Sequence, residues 1–399
     1  MATYIIGYSI IAAFALLVIF IELVSHKVIF KNAPRIQMIF GHPLVRYSLR
    51  RILSAFISIA LAIAATMLLL RFQITKNDGV TYCKAIITGD IWLKNPEVAM
   101  DLCNRKKESL GITNNIFLDL LRYYYYVLPF PKTICKSFVD TTTQSITYLD
   151  CKNTVMYLGE VFEVKGEAGT FVTTLIFKKM GVSFQMGIIG VILEIGLGYP
   201  MGILMAKRKD GVFDRLGNAY IISIDAIPGV AYYYIWMIIL VTILHLPRQY
   251  EADITNPNHF ISILPAALTL GFTGMAGIAL WVRRYMLDEF NSDYVKFARA
   301  KGLPENRILG IHVLRNAIVP LVRSIPSAVL GALFGAFFLE KIYGIGGFGL
   351  LAVEVERSIA DIYVLQGIVI ITASISVLSY LLGDVVTAII DPRVSFSEE

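Results

Sequence analysis

Three uninterrupted apolar runs stand out along the chain: IIGYSIIAAFALLVIFIELV, LSAFISIALAIAATMLLL and MGIIGVILEIGLGYPMGILMA. Each is long enough to cross about 30 Å of hydrocarbon at about 1.5 Å per residue. Hydropathy read together with flanking charge predicts seven spans, at about residues 4–24, 50–70, 183–206, 219–245, 262–282, 316–339 and 363–390. The expected fold class is therefore an all-α polytopic membrane protein. One region departs from this pattern: 71–181 is too long for a structureless connection. Its second half carries SITYLD, NTVMYLGEVFEV and TFVTTLIF, rich in Thr, Val, Tyr and Phe and broken by GEAG, which predicts strands in a small, partly β domain.

Composition agrees. Of 399 residues, 56% are hydrophobic and 17% charged, against about 25% charge in a soluble domain, which argues against a soluble single-domain enzyme. The net charge of +6 is not gathered into a phosphate-tracking stripe, so no nucleic-acid partner is expected. Basic residues are sorted by loop instead. Lys27, Lys31, Arg35 and Arg46 lie in 25–49, Lys207, Arg208, Lys209 and Arg215 in 207–218, and Arg283, Arg284, Lys296, Arg299, Lys301, Arg307 and Arg315 in 283–315. The positive-inside rule turns these loops to the cytoplasm, 246–261 and 340–362 outward, the N-terminus outside and the C-terminus inside. The first span reads as a retained helix, because MATY lacks a positive n-region and SHKVIF a small-residue cleavage site.

Cys83, Cys103, Cys135 and Cys151 all fall between the second and third spans, on the side assigned to the oxidising exterior. Two disulfides are expected, with three pairings open. The aromatic run Tyr123 to Tyr126 in the same segment is read as packing.

No G-x-x-x-x-G-K-[ST] loop, H-E-x-x-H motif or Cys/His cluster at metal spacing occurs, and the five histidines at 26, 42, 245, 259 and 312 are scattered. The chain is thus expected to be no enzyme, to hold no cofactor or metal, and to be unable to hydrolyse ATP unaided.

The third cytoplasmic loop carries the most specific local signal. Asn291 or Ser292 can cap a helix and Asp293 suits its positive end. Lys296, Arg299 and Lys301 load the other end, Gly302 supplies a left-handed stop and Pro304 forbids continuation. Tyr294, Phe297, Ala298 and Lys301 fall at i, i+3, i+4 and i+7, a stripe suited to a partner's groove. The same features also suit an amphipathic helix lying on anionic inner-leaflet lipid.

The run Tyr294-Val-Lys-Phe-Ala-Arg-Ala-Lys-Gly302-Leu303, followed by His312-Val-Leu-Arg-Asn-Ala-Ile-Val-Pro320, resembles the cytoplasmic signature of binding-protein-dependent ABC importer permeases of the oligopeptide, dipeptide and nickel branch. Gly335-Ala-Phe-Phe-Leu-Glu340 through Gly349-Leu350, Arg50-Arg51-Ile-Leu and the terminal Asp391-Pro-Arg393 extend the likeness, which covers about residue 47 and then 155–396. Where the broader family begins its loop Glu-Ala-Ala, this chain has Lys296, Phe297 and Ala298. The resemblance implies a six-span type I permease core, with the helix at 4–24 and the insertion at about 71–154 as departures. It divides the chain into 1–46 (extra helix and loop), 47–70 (first core span), 71–181 (extracytoplasmic domain) and 182–399 (permease core with a coupling helix at about 291–303).

The resemblance further implies a transport subunit in the cell membrane, performing no chemistry of its own. Its partners would be a second homologous permease, two cytoplasmic ATPases that bind ATP and Mg, an extracytoplasmic substrate-binding protein and membrane lipid. Oligopeptides are the expected cargo, with dipeptides, nickel or metal chelates as the alternative; a channel or receptor with a disulfide-bonded exterior is the rival outside the family. Asp293, Tyr294, Lys296, Phe297, Ala298, Arg299, Ala300, Lys301, Gly302 and Leu303 would contact the ATPase. Glu194, Asp225 and Arg323, charged at membrane depth, are translocation-path candidates. Arg323 is suited to a peptide carboxylate, or else to pairing with Glu194 or Asp225. Glu340, Gly346, Gly347 and Gly349 would form an outer gate loop. Pro228, Pro265, Pro320 and Pro326 are hinge or kink candidates, and Gly187, Gly190, Gly196, Gly198, Gly202, Gly331 and Gly335 mark expected close helix approach.

Overall fold

The computed structural model describes residues 43–75, 79–87, 90–113, 115–140, 143–356, 358 and 360–390. The expected span at 4–24, most of the loop after it, both chain ends and Asp391-Pro-Arg393 lie outside the described residues. Two compact units result: one takes the described residues up to Phe177 with Glu354–Ser374, the other Lys178–Val353 with the residues from Ile375 onward.

In the first unit, the long helix Pro43–Thr75 holds the apolar stretch Ser54–Phe72. Short helices Val80–Ile86, Ile91–Lys94, Pro96–Ser109 and Ile116–Val127 follow, then an antiparallel hairpin of Lys132–Asp140 with Ser145–Thr154. Disulfides close Cys83 to Cys103, between two of the helices, and Cys135 to Cys151, across the hairpin. The buried Lys106 ammonium sits 2.8 Å from the Glu160 carboxylate and also donates to Ser137, so the pair is both neutralised and hydrogen-bonded. Asp361 accepts from the backbone N–H groups of Phe162 at 2.6 Å and Glu163 at 2.9 Å. The tyrosine run packs: Tyr123 is buried, Tyr124 donates to the Ala60 carbonyl at 2.6 Å, and Tyr126 meets Tyr157 edge to face.

The strand expectation needs correction. SITYLD does lie in the hairpin, but its partner is KTICKSFVD; NTVMYLGEVFEV leaves the sheet after Thr154, and TFVTTLIF opens a helix at Val172. The Thr and Val of that run are strand formers only as a weak prior, and the 36-residue apolar helix Val172–Lys207 that they start overrides it.

The second unit contains most of Val172–Lys207, the pair Val212–Ala226 and Gly229–Thr242, the helix His259–Phe290, and a segmented stretch from Glu305 to Phe334. The helix Ile362–Ile390 ends in it. Among the described residues, four helices are long and apolar enough to cross a membrane, and up to six if each bent pair is one span. The expected continuous spans at 219–245 and 316–339 are therefore broken. The first bends by 117° where Pro228 removes an N–H and holds an extended ψ of 130°. The second bends by 44° beside Pro320, after a π-helical turn at Ile308–Leu314. Pro320 and Pro326 sit in the first turns of short helices, where a missing donor costs little, and Pro265 stays inside an unbroken helix. Gly198 and Gly202 permit close approach, since a Cβ there would overlap Ile278 and Val282; Gly196 and Gly331 face open space and have no such role.

Candidate functional site

The loop helix runs Asp293–Ala300. Ser292 holds the N-cap position, but its hydroxyl donates back to the Glu289 carbonyl at 2.6 Å and caps nothing. Lys296 lies 2.9 Å from Asp293 and holds that carboxyl below its ordinary range. The far end closes as a paired motif: Gly302, at φ +77°, donates to the Arg299 carbonyl at 2.9 Å, and Leu303 donates to the Ala298 carbonyl at 3.3 Å. The Gly302 stop is thus as its residues predict, whereas the side-chain cap expected from Asn291 or Ser292 is not formed.

Its faces divide differently from the expected stripe. Val295 and Ala298 are buried, at 0% and 4% exposure, in a core with Ala206, Val282, Met286, Ile308, Val313 and Leu321. Ala298 is therefore an inward residue and no part of a docking stripe; i and i+3 spacing from Val295 turns it the same way. Phe297 is 61% exposed, with Lys301 Nζ 4.4 Å from its ring centre, and Asp293, Lys296, Ala300 and Lys301 surround it in solvent. Arg299 pairs with Glu305 at 2.8 Å. Tyr294 ties the helix to both neighbours: its hydroxyl donates to the Glu289 carboxylate and accepts from Asn316 Nδ2 at 2.8 Å.

Glu340 is fully buried. Ser183 Oγ donates to its Oε1 at 2.6 Å, and the Leu350 N–H donates to its Oε2 at 2.7 Å. Ser183 Oγ in turn accepts from the Phe348 N–H at 2.7 Å. Burial pushes this carboxyl above its ordinary range, and the Ser183 and backbone hydrogen bonds pull the other way. Gly347 lies against this knot, where a Cβ would meet the Glu340 carboxyl carbon at 2.7 Å, and a Cβ at Gly349 would meet the Phe337 nitrogen at 2.8 Å. Gly346 comes near Lys179. So Glu340 is the internal clasp of the glycine loop, with no free charge to offer a ligand.

The three charged path candidates are not brought together. Asp225 is exposed on Val212–Ala226. Arg323 pairs with Asp384 at 2.9 Å, a partner outside the Glu194 and Asp225 pairings expected. Glu194 alone lines a cavity, of about 340 Å³, over Gly274. Two further clamps escaped the sequence reading. Asp214, buried, takes a two-pronged contact from Arg283 at 2.6 and 2.8 Å, so one of the loop's basic residues is spent internally. Asn316 is the other, although it stands within the quoted His312 to Pro320 run.

The model of the binding-protein-dependent transport system inner membrane component family matches residues 198–396, which include all of this loop. The dipeptide transport system permease protein DppB of Lactococcus lactis subsp. cremoris is 31% identical over 247 residues, 60% of this chain and 78% of that protein. The chain belongs to this transport family. The oligopeptide transport system permease protein AmiC of Streptococcus pneumoniae is 37% identical over 213 residues, 53% of this chain but only 42% of AmiC, so the match spans less than half of that relative. Among solved structures, the MetNI methionine ABC transporter in inward-facing conformations aligns over 55% of this chain and 97% of that chain, with 17% identity and a TM-score of 0.44. The loop helix and the Glu340 to Leu350 segment lie inside the residues matched by the binding-protein-dependent transport family, while Ser183 and Glu194 precede them.

Proposed function

We propose that this chain is the membrane-spanning permease subunit of an ATP-driven peptide importer in the plasma membrane, with oligopeptides as cargo. It pairs with a second homologous permease to form the translocation path, receives cargo from an extracytoplasmic binding protein, and is moved by two cytoplasmic ATPase subunits. The observation that carries this reading is the two-faced helix Asp293–Ala300: one face is built into the chain's own core through Val295 and Ala298, and the other presents Phe297 to solvent. A helix so mounted transmits a pull on Phe297 to His259–Phe290 and to the segment after Glu305, rather than yielding alone. The names of the relatives, oligopeptide and dipeptide transport permeases, support the cargo class.

The mechanism needs no chemistry from this chain. ATP and Mg belong to the partners, whose nucleotide-driven closure supplies the differential affinity that shifts a two-state transporter between inward-open and outward-open forms. In this reading 291–303 faces the cytoplasm, while the disulfide-bonded segment and the glycine loop face out. Purification of the tagged chain from native membranes in mild detergent tests the assembly. Two ATPase chains and a second permease are expected in stoichiometric yield; recovery of this chain alone at full yield contradicts the proposal.

A further inference from the structure

The cavity beside Glu194 has a chemistry of its own. Its wall is formed by Glu194, the aromatic rings of Tyr199, Trp281 and Tyr285, and the backbone at Gly277, and none of its lining residues is basic. Glu194 makes no hydrogen bond or ion pair among the described residues, and it stands at the middle of the apolar stretch 183–206. A lone carboxylate at that depth is costly until a cation meets it. Arg323, on the segment that supplies Pro320 and Ser324 to the wall, is held by Asp384, and Arg284 lies over the Trp281 ring at 5.1 Å without lining the cavity. Aromatic faces around a carboxylate favour an organic cation over a bare metal ion, because the ring quadrupole attracts an ammonium without demanding a full oxygen shell. At about 340 Å³ the space lies at the small end of ligand pockets, room for one end of a peptide.

The cavity also shares its wall with the loop-helix core. Tyr199, Ile278, Tyr285 and Leu321 line the one and pack into the other, beside Val295 and Ala298. The loop helix and the cavity wall are thus joined through these four side chains.

We propose that this cavity receives the positively charged amino terminus of the transported peptide, with Glu194 as its counter-ion and Trp281 and Tyr285 against it. This rests on the importer reading and adds to it a ligand group and a place. The test uses the complete transporter in lipid nanodiscs, with trialanine and N-acetyl-trialanine as probes and Trp281 emission as readout. Trialanine is expected to change the emission of the wild type, and N-acetyl-trialanine is not. The response should vanish in Trp281→Phe, and apparent affinity should fall roughly tenfold or more in Glu194→Gln, as for loss of one charge-assisted hydrogen bond. Gly277→Leu should fill part of the space with the same loss, since a Cβ there meets nothing within 4 Å. Equal responses to both probes, or unchanged affinity in Glu194→Gln, overturn the ammonium site. So does a wild type that ignores trialanine while Glu194→Gln loses its second permease, which would assign the cation to that subunit. None of these failures alters the copurification result, which judges the importer reading separately.

Discussion

Asn316 Nδ2 donates to the hydroxyl oxygen of Tyr294 at 2.8 Å, and Tyr294 in turn donates to Glu289. One side chain therefore bonds the end of His259–Phe290, the loop helix and the segment after Glu305 to one another. Removing the hydroxyl by Tyr294→Phe leaves the ring in place and takes away bonds worth about 1 kcal/mol each. Uptake per assembled complex should fall roughly two- to tenfold while complex yield is unchanged. Radiolabelled peptide uptake in proteoliposomes, normalised to protein, checks this.

The two faces of the loop helix should respond oppositely. Val295→Asp puts an unpaired charge at a site with 0% exposure and should cost at least about 3 kcal/mol, seen as lost yield or a lower midpoint of thermal unfolding in detergent. Phe297→Ala, at 61% exposure, should leave that midpoint within the equivalent of about 0.5 kcal/mol and reduce ATP-driven uptake.

Glu340→Gln keeps one carbonyl oxygen but turns a donor toward either Ser183 or the Leu350 N–H. The unmet group should cost about 1–3 kcal/mol, with hydrogen exchange of 344–350 accelerated in the variant and unchanged at 293–300. Equal exchange in both segments would mean the clasp does not hold the loop.

Peptide mapping without reductant should recover Cys83 joined to Cys103 and Cys135 joined to Cys151. Replacing either pair by serine should cost about 3 kcal/mol in the loop-closure account, given separations of 20 and 16 residues. Lys132→Met offers an independent probe of the same region. Its ammonium donates to the carbonyls of Tyr126 at 2.8 Å and Leu128 at 2.9 Å, so exchange protection at the end of Ile116–Val127 should weaken.

What was legible followed from short-range rules. Apolar length marked the helices, and Asp293, Gly302 and Pro304 bounded the loop helix because capping is read within a few residues. What was not legible depended on distant partners. Arg323 finds Asp384, Glu340 finds Ser183 and Arg283 finds Asp214, each across a separation that no local spacing encodes. Phe297 and Lys301 suggest an outward stripe that includes Ala298, whereas Ala298 shares the buried face of Val295, three residues earlier. The single-helix reading of 219–245 failed where apolar composition stays high through the Pro228 break, since hydropathy sums residues and ignores the missing N–H.

The proposed transport role requires an ATP-hydrolysing partner to grip the Asp293–Ala300 helix from the cytoplasm. A photo-crosslinking residue placed at 297 in native membranes tests it directly. A crosslink to an ATPase subunit is expected, with a yield that changes on adding ATP; capture of lipid alone, with no nucleotide-binding chain under any condition, would overturn the proposed coupling.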